Sequence, residues 1–187
     1  MYKRAFATYN ITMNIREFLH ESRIEIAASL YSKDEALDKL IELQKKSGTI
    51  HNPRALKREI VERERIGNSA VSCRTAIPCV SHSGALRTAV SVLTVKDGVD
   101  YQAPDKRPVK MIFLIAGKSA SDEYLKVKEH LQRLLTDPSF AARLCAAKSK
   151  EEFLTLIEDK EKAISPLPFA KQKSLFQQRR SLTKPPR

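Results

Sequence analysis

The sequence predicts a mixed α/β fold, and three observations carry that prediction. Stretches with apolar residues at i, i+3 and i+4 alternate along the chain with short apolar or β-branched runs, the order expected when helices pack on a sheet. Two of the helical stretches open with a capping box, Ser32-Lys33-Asp34-Glu35 and Ser149-Lys150-Glu151-Glu152, in which hydroxyl and carboxylate satisfy amides at the helix start reciprocally. One run, Val109 to Ala116, is apolar almost throughout, as in a strand covered on both faces.

Taken in order, Ile15, Phe18 and Leu19 suit a short helical turn, and Ile24, Ile26 and Ala28 alternate like a brief strand. The first capping box opens a helix that buries Leu37, Leu40 and Ile41 and runs to about Ser47-Gly48. Asn52 and Pro53, as cap and first helical residue, begin a second helix with Leu56, Ile60 and Val61 inward, ending at Ile66-Gly67. Residues 67–84 show little periodicity. A strand follows from Thr88 to Val95, and Lys96-Asp97-Gly98 is expected to turn the chain into the strand at Val109. Ser121 is expected to cap a helix with Asp122 and Glu123 in its first turn and Leu131, Leu134 and Leu135 buried. Asp137-Pro138 begins another short helix, and the second capping box opens a last one through Phe153, Leu156 and Ile157.

Composition narrows the classes. No apolar run approaches the roughly 20 residues of a membrane span, and the basic first residues lead into no hydrophobic stretch of a signal peptide. Cys73, Cys79 and Cys145 are odd in number and fit no paired metal spacing, so a reducing cytoplasmic setting is expected, with neither metal nor cofactor. Of the net charge of +12, half comes from Lys171, Lys173, Arg179, Arg180, Lys184 and Arg187 in an end segment without Asp or Glu. Residues 163–187 therefore read as a flexible basic tail, residues 1–20 as an N-terminal extension, and 21–162 as the domain. Such a tail can hold nucleic acid or anionic lipid, although few aromatics interleave with its basic residues, and a solvated extension is the plainer reading.

No Gly-rich phosphate loop, zinc pattern or nucleophile elbow is present, and His20, His51, His82 and His130 are scattered. The segment from Glu59 to Cys79 is different when taken as a unit. An Arg- and Glu-rich helix end, Arg63-Glu64-Arg65, reaches Gly67, then a loop, then Ala76-Ile77-Pro78-Cys79. Further on stand Lys96-Asp97-Gly98-Val99-Asp100-Tyr101, Pro108 to Leu114, Asp122-Glu123-Tyr124-Leu125 and Leu134-Leu135-Thr136-Asp137-Pro138-Ser139-Phe140. In this order, over roughly residues 21–160, the chain resembles the enzyme IIA domains of the bacterial sugar phosphotransferase system, in their mannitol/fructose and nitrogen-regulatory branch.

That resemblance implies a central mixed sheet flanked by helices on both sides, and a phosphoryl group taken from the carrier HPr and passed to a transporter component, or reported to a regulated target. It also exposes departures. Cys79 stands where the family has its phosphorylated histidine, and Tyr124 where it has a second active-site histidine. Ala70, Ser72 and Arg74 stand at loop glycines, and Arg63 is retained as the implied phosphate clamp. Two replacements for the lost acceptor are open. Cys79 can act as a thiolate with its pKa lowered by Arg74 or Arg63, or His82 can move into the vacated place. The plainer alternatives are a small buried thiol at Cys79 and an i,i+4 ion pair between Arg63 and Glu59. Three functions are therefore expected to compete: a regulatory protein-binding module with a degenerate site, an active carrier on Cys79 or His82, and anion or nucleic-acid binding through the tail.

Overall fold

The computed structural model describes residues 13–71, 73–119 and 121–164. The basic tail, most of the N-terminal extension and Ser72 lie outside the described residues. The order is a single 3-10 turn at Ile15–Glu17, β1 (Leu19–Ala28), α1 (Lys33–Lys46), α2 (Pro53–Ile66), β2 (Ala70–Val71), β3 (Thr75–Ala76), β4 (Cys79–His82), β5 (Ala89–Val99), β6 (Val109–Lys118), α3 (Glu123–Leu135), α4 (Pro138–Cys145) and α5 (Lys150–Ile164).

The sheet is built outward from β5 and β6, whose apolar runs are buried on both faces. They pair antiparallel, with Val92 opposite Phe113. β1 lies parallel to β5, and the other side of β6 is taken by two short strands in succession, β3 at Met111–Ile112 and β4 at Ile115–Lys118, both parallel to it. β2 pairs antiparallel with β3 outside them, so the sheet is mixed. One face is covered by α3, α4 and α5 through Val127, Leu131, Phe140, Leu144, Phe153 and Ile157. The other is covered by α1 and α2 through Leu37, Leu40, Leu56 and Ile60. This is the mixed sheet with helices on both sides that the resemblance implies.

The helix ends form as their sequences dictate. The Ser32 hydroxyl accepts the Glu35 amide at 3.2 Å, and Asn52 accepts the Ala55 amide at 3.0 Å ahead of Pro53. Asp137 caps α4 by accepting the amides of Ser139 and Phe140, and it also takes the Lys160 ammonium at 2.6 Å, which holds its carboxyl well below the usual carboxylate range. At the start of α3 the cap position belongs to Asp122, whose side chain makes no capping bond; the Ser121 hydroxyl instead accepts the Glu123 amide at 3.3 Å.

Three expectations change. Val61, expected on the inner face of α2, is exposed. β1 is ten residues long and the boundary drawn at residue 21 falls inside it, because Ile15 and Leu19 are needed to close the core. Both ends of the fold meet on α5: Glu161 accepts the Ile15 amide at 2.7 Å and pairs with His130 at 2.9 Å. Since the Arg133 guanidinium can only donate to His130 Nδ1, the Nε2 proton points at Glu161. Finally, Lys96-Asp97-Gly98 does not turn the chain. β5 continues through it as an irregularity in the pairing with β6, and Gly98 takes φ +82, where an added Cβ would meet Pro108 at 2.9 Å.

Gly117 fixes how closely α3 approaches the sheet, since an added Cβ there would lie 2.5 Å from Tyr124 Cβ and 2.8 Å from its ring. Gly117→Ala is expected to destabilise the fold by about 1–3 kcal/mol through overpacking, read as a lower urea midpoint with an unchanged slope; an unaltered midpoint would show that α3 is free to shift.

Candidate functional site

The site forms where the sheet edge is interrupted. The β2–β3 hairpin turns through Cys73 and Arg74, both at positive φ (60° and 57°). β3 then stops at Ala76, and Ile77-Pro78 crosses to β4, anchored by the Ile77 amide on Ser69 O at 2.9 Å and the Ile115 amide on Pro78 O at 2.9 Å. The outer side of this step is open, and a cleft of about 330 Å³ occupies it between the C-terminal turn of α2 and the side of α3.

Cys79 forms part of its floor. Arg63 enters from α2 with its guanidinium 3.5 Å from the Cys79 carbonyl oxygen, and keeps a long contact of 3.7 Å with Glu59, the i,i+4 pair expected of it. That pair is exposed and contributes little. Lys128 enters from α3 on the opposite wall.

The electrostatics at Cys79 are a contest between burial and charge. Burial pushes the thiol up to about 11, while Lys128 and then Arg63 pull the other way. Burial wins because a half-buried thiolate loses more hydration than two partly solvated cations restore. At pH 7 the thiol is therefore held in its protonated form.

The back of the cleft is a fastened polar network. Glu64, almost wholly buried, accepts from the Lys33 ammonium at 2.7 Å and from the Ser69 amide at 3.4 Å. Lys33 also sits 4.2 Å over the ring of Tyr101, whose hydroxyl is 3.3 Å from Ser69 Oγ and is pushed upward in pKa by burial and by Glu64. Asn68 donates its amide to the carbonyls of Tyr101 and Gln102 at 2.8 and 2.9 Å. Together these bonds hold the loop from Gly67 to Ala70 in place.

Of the residues singled out in the sequence, Cys79 and Arg63 meet in this cleft. Tyr124 does not line it among the described residues; its ring packs over Gly117, two residues along β6 from Ile115, the partner of Cys79. His82 lies on the other face of β4, with Val80, and its Nδ1 accepts the Gly84 amide at 2.8 Å. Arg74 is turned away: its guanidinium donates to Pro108 O at 3.0 Å, and its charge bears on Cys145. Ser72 lies outside the described residues.

Lys128 and the Lys33–Glu64–Tyr101 network were not singled out from the sequence. Lys128 left a signal there, as a charge interrupting the apolar stripe of Tyr124, Val127 and Leu131. The network left none, since its members are separated by 31 and 37 residues and meet only in the fold.

Comparison with known proteins agrees with this architecture. The family model described as "Phosphoenolpyruvate-dependent sugar phosphotransferase system, EIIA 2" matches residues 17–160. A nitrogen regulatory protein of Bradyrhizobium diazoefficiens is 26% identical over 148 residues, covering 78% of this chain and 95% of that protein. The fructose-specific EIIABC component of Bacillus subtilis is 26% identical over 151 residues, 80% of this chain, and there the chain spans only 24% of the relative's length. Among solved structures, the nitrogen regulatory protein IIA-Ntr of Neisseria meningitidis superposes with a TM-score of 0.71 at 24% identity, covering 76% of this chain and 98% of that one. The mannitol IIA of Escherichia coli gives 0.65 at 22%, covering 74% and 98%. With a mixed sheet of the same kind and a family match over most of its length, the chain belongs to the phosphotransferase system enzyme IIA family of type 2.

Proposed function

We propose that this chain is an enzyme IIA-type module that works by binding other proteins, with Cys79 in place of the family's phosphorylated histidine and no phosphoryl group carried on it. The observation that carries this reading is the protonated, half-buried thiol on the cleft floor. Accepting a phosphoryl group there would form an S–P bond, break the donor's N–P bond and release the thiol proton. Among the described residues no histidine lines the cleft to receive that proton, and Glu64 already accepts from Lys33 and Ser69.

The surroundings suit docking. Ile66, at the end of α2, is 80% exposed on the cleft rim, an apolar contact beside the cations Arg63 and Lys128. The match to nitrogen regulatory proteins over nearly their whole length supports a regulatory role. The partner is HPr, another component of the phosphotransferase system, or a regulated target protein, met in the cytoplasm. A related IIA, that of mannitol from Escherichia coli, has been solved in complex with phosphorylated enzyme IIB. None of the helices among the described residues is long and apolar enough to cross a membrane. The second reading, an active carrier on Cys79, is favoured by one observation, the downward pull of Lys128 and Arg63 on the thiol.

Incubation with enzyme I, HPr and labelled phosphoenolpyruvate separates the two. The chain is expected to remain unlabelled. Label that disappears in Cys79→Ser would establish the active carrier instead, and label that disappears only in His82→Ala would assign the acceptor to His82.

The thiol can be tested directly. Because its pKa is raised, it stays protonated until the pH approaches 11, so reactivity falls away as pH drops below that value. Alkylation of Cys79 at pH 8, followed on its own peptide, is expected on the order of a hundredfold slower than that of a small free thiol, rising about tenfold per pH unit up to pH 10. A rate already level at pH 8 would mean that the cations have won and the thiolate is available.

A further inference from the structure

Strain and charge gather where β6 begins, on residues that do not line the cleft. Five residues other than glycine hold positive φ among the described residues, and four of them lie here. Cys73 (60°) and Arg74 (57°) form the β2–β3 turn, and Gln102 (55°) and Lys106 (58°) stand in the loop between β5 and β6. Side chains are disfavoured in that conformation, and the chain uses glycine for it elsewhere, at Gly48 and Gly98. At Arg74 and Lys106 it carries a basic side chain instead. Backbone strain of this kind persists where the surroundings enforce it, and it concentrates at working surfaces.

The loop is fastened. Asp100 accepts the Gln102 amide at 2.8 Å and Asp105 accepts the Arg107 amide at 3.1 Å, so both loop carboxylates are turned to backbone. The Lys106 amide donates to Ala103 O at 2.9 Å, and Arg74 ties the turn to the loop through Pro108 O at 3.0 Å. Lys106 and Arg107 are exposed, as is Arg143 in the last turn of α4. Arg74 and Lys110 are half-buried, and the charges of both reach the Cys145 thiol at the end of α4. Turn, loop, strand start and helix end thus present five cations together. None of the five belongs to an ion pair among the described residues.

We infer that this surface binds the phosphodiester backbone of nucleic acid, without reading its sequence. Three forked guanidinium groups and two ammonium groups suit a run of phosphate oxygens. Docking of a protein needs an apolar anchor at its centre, and a membrane surface needs apolar side chains to insert. None of the large exposed apolar side chains stands on these segments. Charge alone is sufficient for a nucleic-acid backbone, and the chain's net charge of +12 draws such a polyanion in. This surface is independent of the reading proposed for the cleft.

The test is fluorescence anisotropy of the full chain with a short labelled duplex DNA of mixed sequence, over a series of sodium chloride concentrations. Binding that weakens steeply with salt is expected. Lys106→Gly and Arg107→Gln are each expected to lower the logarithmic salt slope by about one and to weaken binding several-fold. Lys106→Gly is also expected to raise the melting temperature, because glycine relieves the positive φ. A lower melting temperature with unchanged binding would make Lys106 structural and remove it from the surface. A second full-length variant replaces the six basic residues from Lys171 to Arg187 with Gln. If that variant loses the duplex while Lys106→Gly/Arg107→Gln binds as the natural chain does, the end segment is the binder and the surface is overturned. Competition by phosphatidylglycerol vesicles or polyglutamate as effective as by unlabelled duplex, at equal charge, would overturn the assignment to nucleic acid. Absence of binding at low salt would overturn it outright.

Discussion

The structure depends on the pairing of β5 with β6. Their registered run from Ala89 opposite Ala116 to Thr94 opposite Met111 is buried on both faces, so its backbone groups have no access to water and must bond within the sheet. Burial on both faces then obliges helices to cover each side, with Phe113 and Ile115 turned toward α3–α5, and Ile112 and Leu114 toward α1 and α2. The amide nitrogen of Gln44, fully buried on α1, reaches this pair and donates to the carbonyl of Leu114 at 3.0 Å, while its Oε1 has no partner among the described residues. On the far side of β6 the strands β2, β3 and β4 are short attachments to this pair, and the break between β3 and β4 leaves room for a cleft.

At that break, the same burial that stabilises the fold sets the chemistry. A histidine needs no unfavourable ionisation to act as a nucleophile near neutral pH, whereas a thiol does. Set at the sheet edge against the α3 side of the core, Cys79 is too dry to ionise readily even with two cations beside it. The cations are thereby left without the negative charge that an ionised acceptor would offer them.

Much of the fold was legible in the sequence because the signals were local. Capping residues at Ser32 and Asn52, heptad-like spacing at Leu37, Leu40 and Ile41, and the apolar run at Val109 each depend on a few neighbouring residues, and each formed where it was expected. The Lys96-Asp97-Gly98 segment misled because a turn-forming composition also suits an irregular strand, and only pairing with β6 decides between them. At the site, the resemblance brought out Cys79 and Arg63 by order along the chain. It could not show that Arg74, only five residues before Cys79, is turned toward Pro108 by its left-handed backbone. Nor could it show that His82 alternates onto the opposite face of β4, a consequence of strand pleating once the strand's existence is known.

The bond from the Ile15 amide to Glu161 has a consequence for how such a unit travels in evolution. Among the described residues, it brings the first and last elements to within a hydrogen bond of each other. A cassette closed in this way can be spliced into the middle of a longer polypeptide without stretching either junction, since the host chain enters and leaves through one doorway. The same architecture then serves as nearly the whole of one relative and as about a quarter of another.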